Sequence, residues 1–434
     1  MSNPASTTER TARIPAGFWL AVFAPFGAAY LISFGLRSVN AAIAPDLTRE
    51  FALDAADLGL LTAAYFLSFS FTQIPLGAWL DRFRPRRVNA ALLLACAAGC
   101  FVFAAAPNLQ WLVAGRILIG VGVAACLMAS LRTFRLWVDA GHLPSVNGAM
   151  LAVGNAGAIA STAPVLWLLG LISWGQLFVV VGMAALLTSA WLAFKVPDPP
   201  TSQHADHGGK PHPSPASTQT VAAVGWADVL ASREFWAIVP IACLTNAVGL
   251  AVQGLWAGPW LIDVAGIPRE RIGYYLLLVP AGMLAANLAL GRALTHWVGR
   301  GGSAVRFTGI ACIAALVGQA PFLLSWSNAP AVVMLLFGLT HVCGNLAFAA
   351  LAPHFPAAVA GRLVTTINFI LFMSSFLLQW GMGLVINGFP AAAPGAYRAE
   401  GYEAAFLTLL AMQGIAFAWT FHALRRRPPR GAPG

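Results

Sequence analysis

The chain has 434 residues, of which 59% are hydrophobic and only 9% charged, with a mean hydropathy of +0.75. Soluble domains are about 45–50% apolar and about 25% charged, so a soluble enzyme, a disordered chain and an ordinary nucleic-acid binder are excluded and a polytopic membrane protein remains. The net charge is nonetheless +10, from 25 Lys and Arg against 15 Asp and Glu, and that excess has to be placed along the chain before it is read as a sign of a polyanionic partner.

Residues Met1 to Pro15 are polar and lack the short apolar core and small-residue cleavage site of a secretory leader, so no cleaved signal peptide is expected. Twelve stretches then reach the length and apolarity of a membrane helix. The first six are Phe18–Ala44, Leu58–Leu80, Val88–Ala106, Leu109–Leu131, Val146–Leu168 and Gln176–Phe194. The second six are Phe235–Ile262, Ile272–Thr295, Phe307–Leu324, Ala331–Leu351, Val364–Ile386 and Ala404–Leu424. Backbone groups cannot stay unpaired in lipid, so these stretches are predicted to be helices and the fold class all-α.

Between the sixth and seventh runs a segment rich in Pro, Ser, Gly and His. The expected organisation is an N-terminal six-helix bundle (residues 1–195), a flexible cytoplasmic linker (196–232) and a C-terminal six-helix bundle (233–434). His204, His207 and His212 of the linker have no cysteine or carboxylate cluster beside them and read as solvated residues. The six cysteines lie in apolar stretches without a CxxC pair, as small buried hydrophobes. No metal site and no cofactor are expected.

Nineteen of the 25 basic residues fall on one side of this arrangement and four on the other, while Arg37 and Arg116 lie within stretches one and four. By the positive-inside rule the first side is cytoplasmic, with both termini, and the protein belongs in a bacterial-type inner membrane. The basic excess is then mostly an orientation signal, and no nucleic-acid partner is expected. The two halves also share landmarks at one offset of 214 positions: Pro45 and Pro259, Gly59 and Gly273, Gln73 and Asn287, Gly77 and Gly291. Six spans restore the chain direction, so the repeat is parallel, as in certain secondary transporters.

After the second stretch the chain reads Gly77-Ala-Trp-Leu-Asp81-Arg82-Phe-Arg84-Pro-Arg86-Arg87. This resembles the signature loop of the major facilitator superfamily, with Arg84 where the family has its second glycine. The resemblance implies a twelve-helix transporter and a gating loop formed by Gly77, Asp81, Arg82 and Arg86, in which the acid and the arginines latch helices on the cytoplasmic side. A plain stop-transfer charge cluster would show the same basic residues. In the fourth stretch, Arg116 followed by Gly120 resembles a second motif of that superfamily. The proline-containing motif of many drug antiporters is incomplete in stretch five.

A charge inside the bilayer is costly and needs a reason. Arg37 shares a helical face with Tyr30, Ser33 and Asn40. The run from Arg37 to Pro45 resembles the first span of organophosphate and organic-anion transporters of the superfamily, which implies a part in an anion site. The alternative is an arginine that only packs against a helix-end carbonyl or Asp46. Arg116 likewise reads either as a second cationic contact or as a residue bonded to backbone carbonyls.

No Asp or Glu is left in the core, so a cavity holding these arginines is electropositive and favours an anion. His341 shares a face with Gly338 and Asn345, and reads as a proton carrier or as a hydrogen-bonded wall residue. Asn246, Gln253 and Trp256 follow helical spacing in stretch seven, and Asn368, Ser375 and Gln379 do so in stretch eleven. These stripes line a substrate path or bond helix to helix, and the tryptophan fits an interfacial belt equally.

The expected function is alternating-access uptake of a small organic anion by a monomer, with a proton or cation as coupling partner left open. The alternative is efflux of an apolar or cationic compound. An intramembrane enzyme would need paired acids, a Ser/His/Asp set or a metal cluster in the core. A non-transporting receptor would need no polar-lined path.

Overall fold

The computed structural model describes residues 14–425 apart from 16, 140, 199–225, 324–325, 352–353, 356–359 and 390–396. The linker histidines lie outside the described residues. Among those described, twelve helices are long and apolar enough to cross a membrane, and each coincides with one apolar stretch of the sequence. Spans 1 to 6 are Trp19–Ser38, Ala55–Arg82, Pro85–Ala104, Leu109–Trp137, Leu143–Leu169 and Trp174–Phe194. Spans 7 to 12 are Arg233–Asp263, Arg269–Gly299, Ala304–Leu323, Pro330–Leu351, Arg362–Asn387 and Ala399–Ala423. The chain is a multi-pass membrane protein, and large apolar side chains such as Leu20, Trp167 and Phe194 stand exposed on its outside, where lipid replaces water.

Lipid tails give apolar helices no reason to avoid them, so association rests on close packing at small residues. Gly122 of span 4 lies where an added Cβ would come within 2.2 Å of the Cys96 backbone nitrogen of span 3. Gly338 of span 10 approaches the Val279 carbonyl of span 8 in the same way, at 2.3 Å.

Spans 1 and 7 are not continuous α-helices. Span 1 runs regularly from Ala24 to Ser38, turns at Val39 and continues as a helix from Asn40 to Phe51, well beyond the apolar stretch. Span 7 is α-helical over Arg233–Ala251, widens to a π-turn over Val252–Trp256 and resumes at Ala257. The repeat offset places these interruptions at equivalent positions, a few residues before Pro45 and Pro259. A proline has no N–H and its ring excludes the carbonyl four residues back, which frees the Ala41 carbonyl in span 1. That carbonyl is aimed at Gly258 of span 7, where a Cβ would sit 2.2 Å from it.

Contacts between the first six and last six spans run from the end of Asp46, Glu50, Asp54 and Glu270 along spans 2 and 11, as far as Ser70, which donates to the Phe369 carbonyl at 2.9 Å. Besides Gly258 on Ala41, Gly383 of span 11 faces the Ala55 carbonyl of span 2 and Gly273 of span 8 faces Ala163 of span 5. Asp46 pairs with Arg269, and Asn387 donates to Asp54 at 3.1 Å. At the opposite end, where Arg82, Arg87, Arg132 and Arg300 cluster, added Cβ atoms on Gly77 of span 2 and Gly291 of span 8 would meet nothing within 4 Å. The halves pack closely at the acidic end, beside a cavity of about 650 Å³ lined by residues including Asp46, Glu50, Arg269 and Tyr274, and at the basic end Gly77 and Gly291 have no close neighbour.

Candidate functional site

Arg37 occupies the last turn of the first segment of span 1, just before the chain turns at Val39. Its guanidinium lies 4.5 Å from the centre of the Phe34 ring, 5.2 Å from Phe372, 5.5 Å from Phe69 and 5.9 Å from Tyr65. Phe34 is one helical turn before it, Tyr65 and Phe69 are one turn apart on span 2, and Phe372 comes from span 11. Each ring face attracts a cation by roughly 0.5–2 kcal/mol without neutralising it. Among the described residues no carboxylate pairs with Arg37, its Nε is buried without a partner, and the residue keeps part of its surface accessible. Asp46, the alternative partner considered from the sequence, is taken by Arg269.

Arg116 has a different setting. It is 1% exposed, its guanidinium lies near the Phe103 and Phe178 rings, and one terminal nitrogen donates to the Leu36 carbonyl at 2.9 Å. Leu36 is in the last turn of a helix, whose final carbonyls lack partners of their own. Arg116 therefore caps the first segment of span 1 with one terminal nitrogen, while its Nε and its other terminal nitrogen are buried without a partner.

The other sequence candidates divide by exposure. Tyr30 is buried with its ring against Gly154 of span 5. Asn40 is buried and donates to Thr62 Oγ1 at 2.9 Å, bracing the second segment of span 1 against span 2. Trp256 is fully buried and its indole donates to the Gln379 carbonyl at 3.0 Å. The Gln379 side chain in turn donates to the Ala251 carbonyl at the start of the π-turn, at 3.3 Å. Gln253, within that turn, borders a cavity of about 10 Å³ with Ser38, Ala41 and Thr162.

His341 is fully buried, stacked on Phe337 and bonded through Nδ1 to the Phe337 carbonyl at 3.0 Å, and its Nε2 has no partner. A carbonyl only accepts, so Nδ1 carries the proton. Asn345 is exposed, and its side-chain oxygen accepts from Asn246 of span 7 at 2.5 Å. Asn368 is half-buried on span 11.

The model of the Major Facilitator Superfamily matches residues 26–378. The chain belongs to that superfamily. It is 24% identical to the probable sulfoacetate transporter of Cupriavidus necator, over 63% of this chain and 68% of that one. It is 22% identical to the probable L-galactonate transporter of Escherichia coli K12, over 89% of this chain and 86% of the relative. Among solved structures, a bacterial homologue of the human lysosomal transporter Spinster, in an inward-facing and occupied conformation, superposes with a TM-score of 0.77 at 17% identity, covering 96% of this chain and all of that one. A D-xylose–proton symporter superposes with a TM-score of 0.69 at 14% identity, over 92% and 96%. The protein is a membrane transporter with the superfamily's twelve-helix fold, and its relatives are transporters, not enzymes.

Within the superfamily's signature loop, Asp81 pairs with Arg132 of span 4 at 2.5 Å. Arg84 and Arg86 both pair with Asp198, at 2.7 and 3.0 Å, and Arg86 also donates to the Val196 carbonyl. Arg82 lies over the Phe83 ring. Arg84, which replaces the family's second glycine, has φ −61° and ψ 130°. That is ordinary extended backbone, which the following Pro85 favours, so this loop needs no glycine there.

The sequence reading missed the four rings around Arg37 and the Asp46–Arg269 pair. Phe34, at i−3 from Arg37, was available from helical spacing. Tyr65, Phe69, Phe372 and Arg269 come from other spans, and nothing in one sequence says which faces of those spans meet span 1.

Proposed function

We propose that this transporter takes up a small organic anion by alternating access, with Arg37 as the anchor for the anion. The observation that carries this reading is a guanidinium within the membrane-spanning region held by ring faces and lacking a carboxylate partner. Such a cation is costly to leave uncompensated in a low-dielectric setting, and an anionic ligand supplies the missing half. The relatives named for sulfoacetate and L-galactonate support an organic anion as cargo.

The two six-helix bundles, residues 1–195 and 233–434 joined by the 196–232 linker, would rock about Arg37. The basic end is cytoplasmic, with both termini, in an inner membrane. In that orientation the present conformation opens to the cytoplasm. Asn246 and Asn345 lie on the accessible wall and Gln253 at the closed gate. Asp81 and Arg86 of the gating loop keep their pairs with Arg132 and Asp198, on the first bundle's side, while the basic end is open, so the loop is braced before that end closes.

Purified protein in liposomes, given a panel of radiolabelled carboxylates and phosphate esters, tests the reading. Removing one charge-assisted contact costs about 1.5–3 kcal/mol, so Arg37→Ala is expected to cut uptake of the cargo by on the order of 10- to 100-fold. Unaltered uptake by Arg37→Ala of every anion that the unmodified protein carries would overturn the assignment.

A further inference from the structure

We infer that Arg116 sets the charge preference of the site, so that a small anion with two negative charges binds more tightly than a singly charged anion of the same size. This deepens the proposed function and rests on its reading of Arg37 as the anchor. The observation behind it is separate: a second guanidinium without a counter-charge stands next to that anchor. Arg116 is 1% exposed, its Nε and one terminal nitrogen are buried without a partner, and its one hydrogen bond goes to the neutral Leu36 carbonyl at 2.9 Å. Leu36 is joined directly to Arg37, so standard bond lengths put the donating nitrogen no more than about 7 Å from the Arg37 Cα. Among the described residues neither arginine has a carboxylate partner.

The rings beside the two guanidinium groups, Phe34, Tyr65, Phe69 and Phe372 at Arg37 and Phe103 and Phe178 at Arg116, present polarised faces to the cations without cancelling their charge. Burial also keeps water and salt from screening Arg116, so its field reaches a ligand that it does not touch. A monoanion on Arg37 answers one of the two charges and leaves the other uncompensated in a low-dielectric setting. A dianion answers both, its second negative group lying in the field of Arg116. A unit charge roughly 10 Å away in an effective dielectric of about 20 changes an affinity by on the order of tenfold. The favoured cargo is therefore a small sulfocarboxylate, dicarboxylate or phosphate monoester, while monoanions are still accepted on Arg37.

The test uses matched pairs on the full-length protein at neutral pH: succinate against butyrate, and 3-sulfopropanoate against propane-1-sulfonate, with monomethyl succinate restoring single charge at nearly the size of succinate. Binding is read by thermal shift in detergent and by competition in liposome uptake. Two variants separate the charge of Arg116 from its bond to span 1. Arg116→Gln keeps an N–H donor for the Leu36 carbonyl and removes the charge, and Arg116→Lys keeps both a donor and the charge. In the unmodified protein each dianion is expected to bind on the order of tenfold more tightly than its partner, with monomethyl succinate behaving as butyrate does. Arg116→Gln should abolish that preference and Arg116→Lys should retain most of it. If neither variant folds, the paired anions decide on the unmodified protein. Succinate and butyrate binding alike would overturn the inference while leaving the anion reading standing. So would a preference that survives Arg116→Gln, or one lost as fully in Arg116→Lys. Failure of every anion to bind would remove that reading and this inference together.

Discussion

Gly59 and Gly77 stand eighteen residues apart on span 2, five full turns of an α-helix and so on one face, roughly 27 Å from each other. Gly59 is packed, with the site of an added Cβ 3.1 Å from the Gln379 carbonyl of span 11, whereas Gly77 faces open space. Span 8 repeats the contrast, with Gly273 pressed on Ala163 of span 5 and Gly291 free. The same kind of residue, on the same faces of two repeat-related helices, is used at one end of the molecule and idle at the other. Small residues let helix backbones approach, and under the proposed alternating access Gly77 and Gly291 are free to make a contact that this conformation does not make. In that cycle the closed acidic end and the open basic end exchange roles.

The strongest way to break the contrast is to spoil the closed end. Gly258→Val would drive a branched side chain into the Ala41 carbonyl, 2.2 Å from where its Cβ must go. Overpacking of this kind costs about 1–3 kcal/mol, enough to shift a two-state population by on the order of 10- to 100-fold. Spin labels at Ala52 and Glu270, both exposed at the acidic end, are expected to move apart, and labels at Arg87 and Arg300 at the basic end to approach. Unchanged distances at both ends, in a folded variant, would show that this approach does not hold the end shut.

A smaller effect is expected at the same end from Asp46→Asn. The Asp46–Arg269 pair is partly exposed, and such pairs contribute about 0–1 kcal/mol. The label distributions should shift by no more than about fivefold, and high salt should produce a similar change in the unmodified protein. A shift larger than that of Gly258→Val would mean that charge, and not backbone packing, sets the closed end.

The contrast also shows what a single sequence carries. The twelve helices were legible because lipid imposes a length and an apolarity on each one separately. The pairing of Pro45 with Pro259 was legible as an offset, and both prolines do follow interrupted helices. It was not legible that the carbonyl freed by Pro45 would meet Gly258, the residue before the second proline, because that contact depends on how the halves lean together. Arg37 and Arg116 looked alike as charges in apolar stretches. Their difference arises from which neighbour each helix face meets: for Arg116 the carbonyl of Leu36, for Arg37 the rings of spans 2 and 11.

The subtlest change concerns the idle end. Gly77→Leu adds a side chain where nothing lies within 4 Å, and replaces a poor helix former by a good one, worth up to about 1 kcal/mol to the helix. The melting temperature should therefore stay the same or rise slightly, and the label distances should be those of the unmodified protein. Transport should nonetheless fall at least tenfold, because the face of span 2 that must seal the basic end in the opposite conformation now carries a bulky group. Gly77→Ala, adding one methyl, should fall between the two. Full transport by Gly77→Leu would mean that the basic end closes without this face, and that the match between Gly59 and Gly77 reflects helix repetition alone.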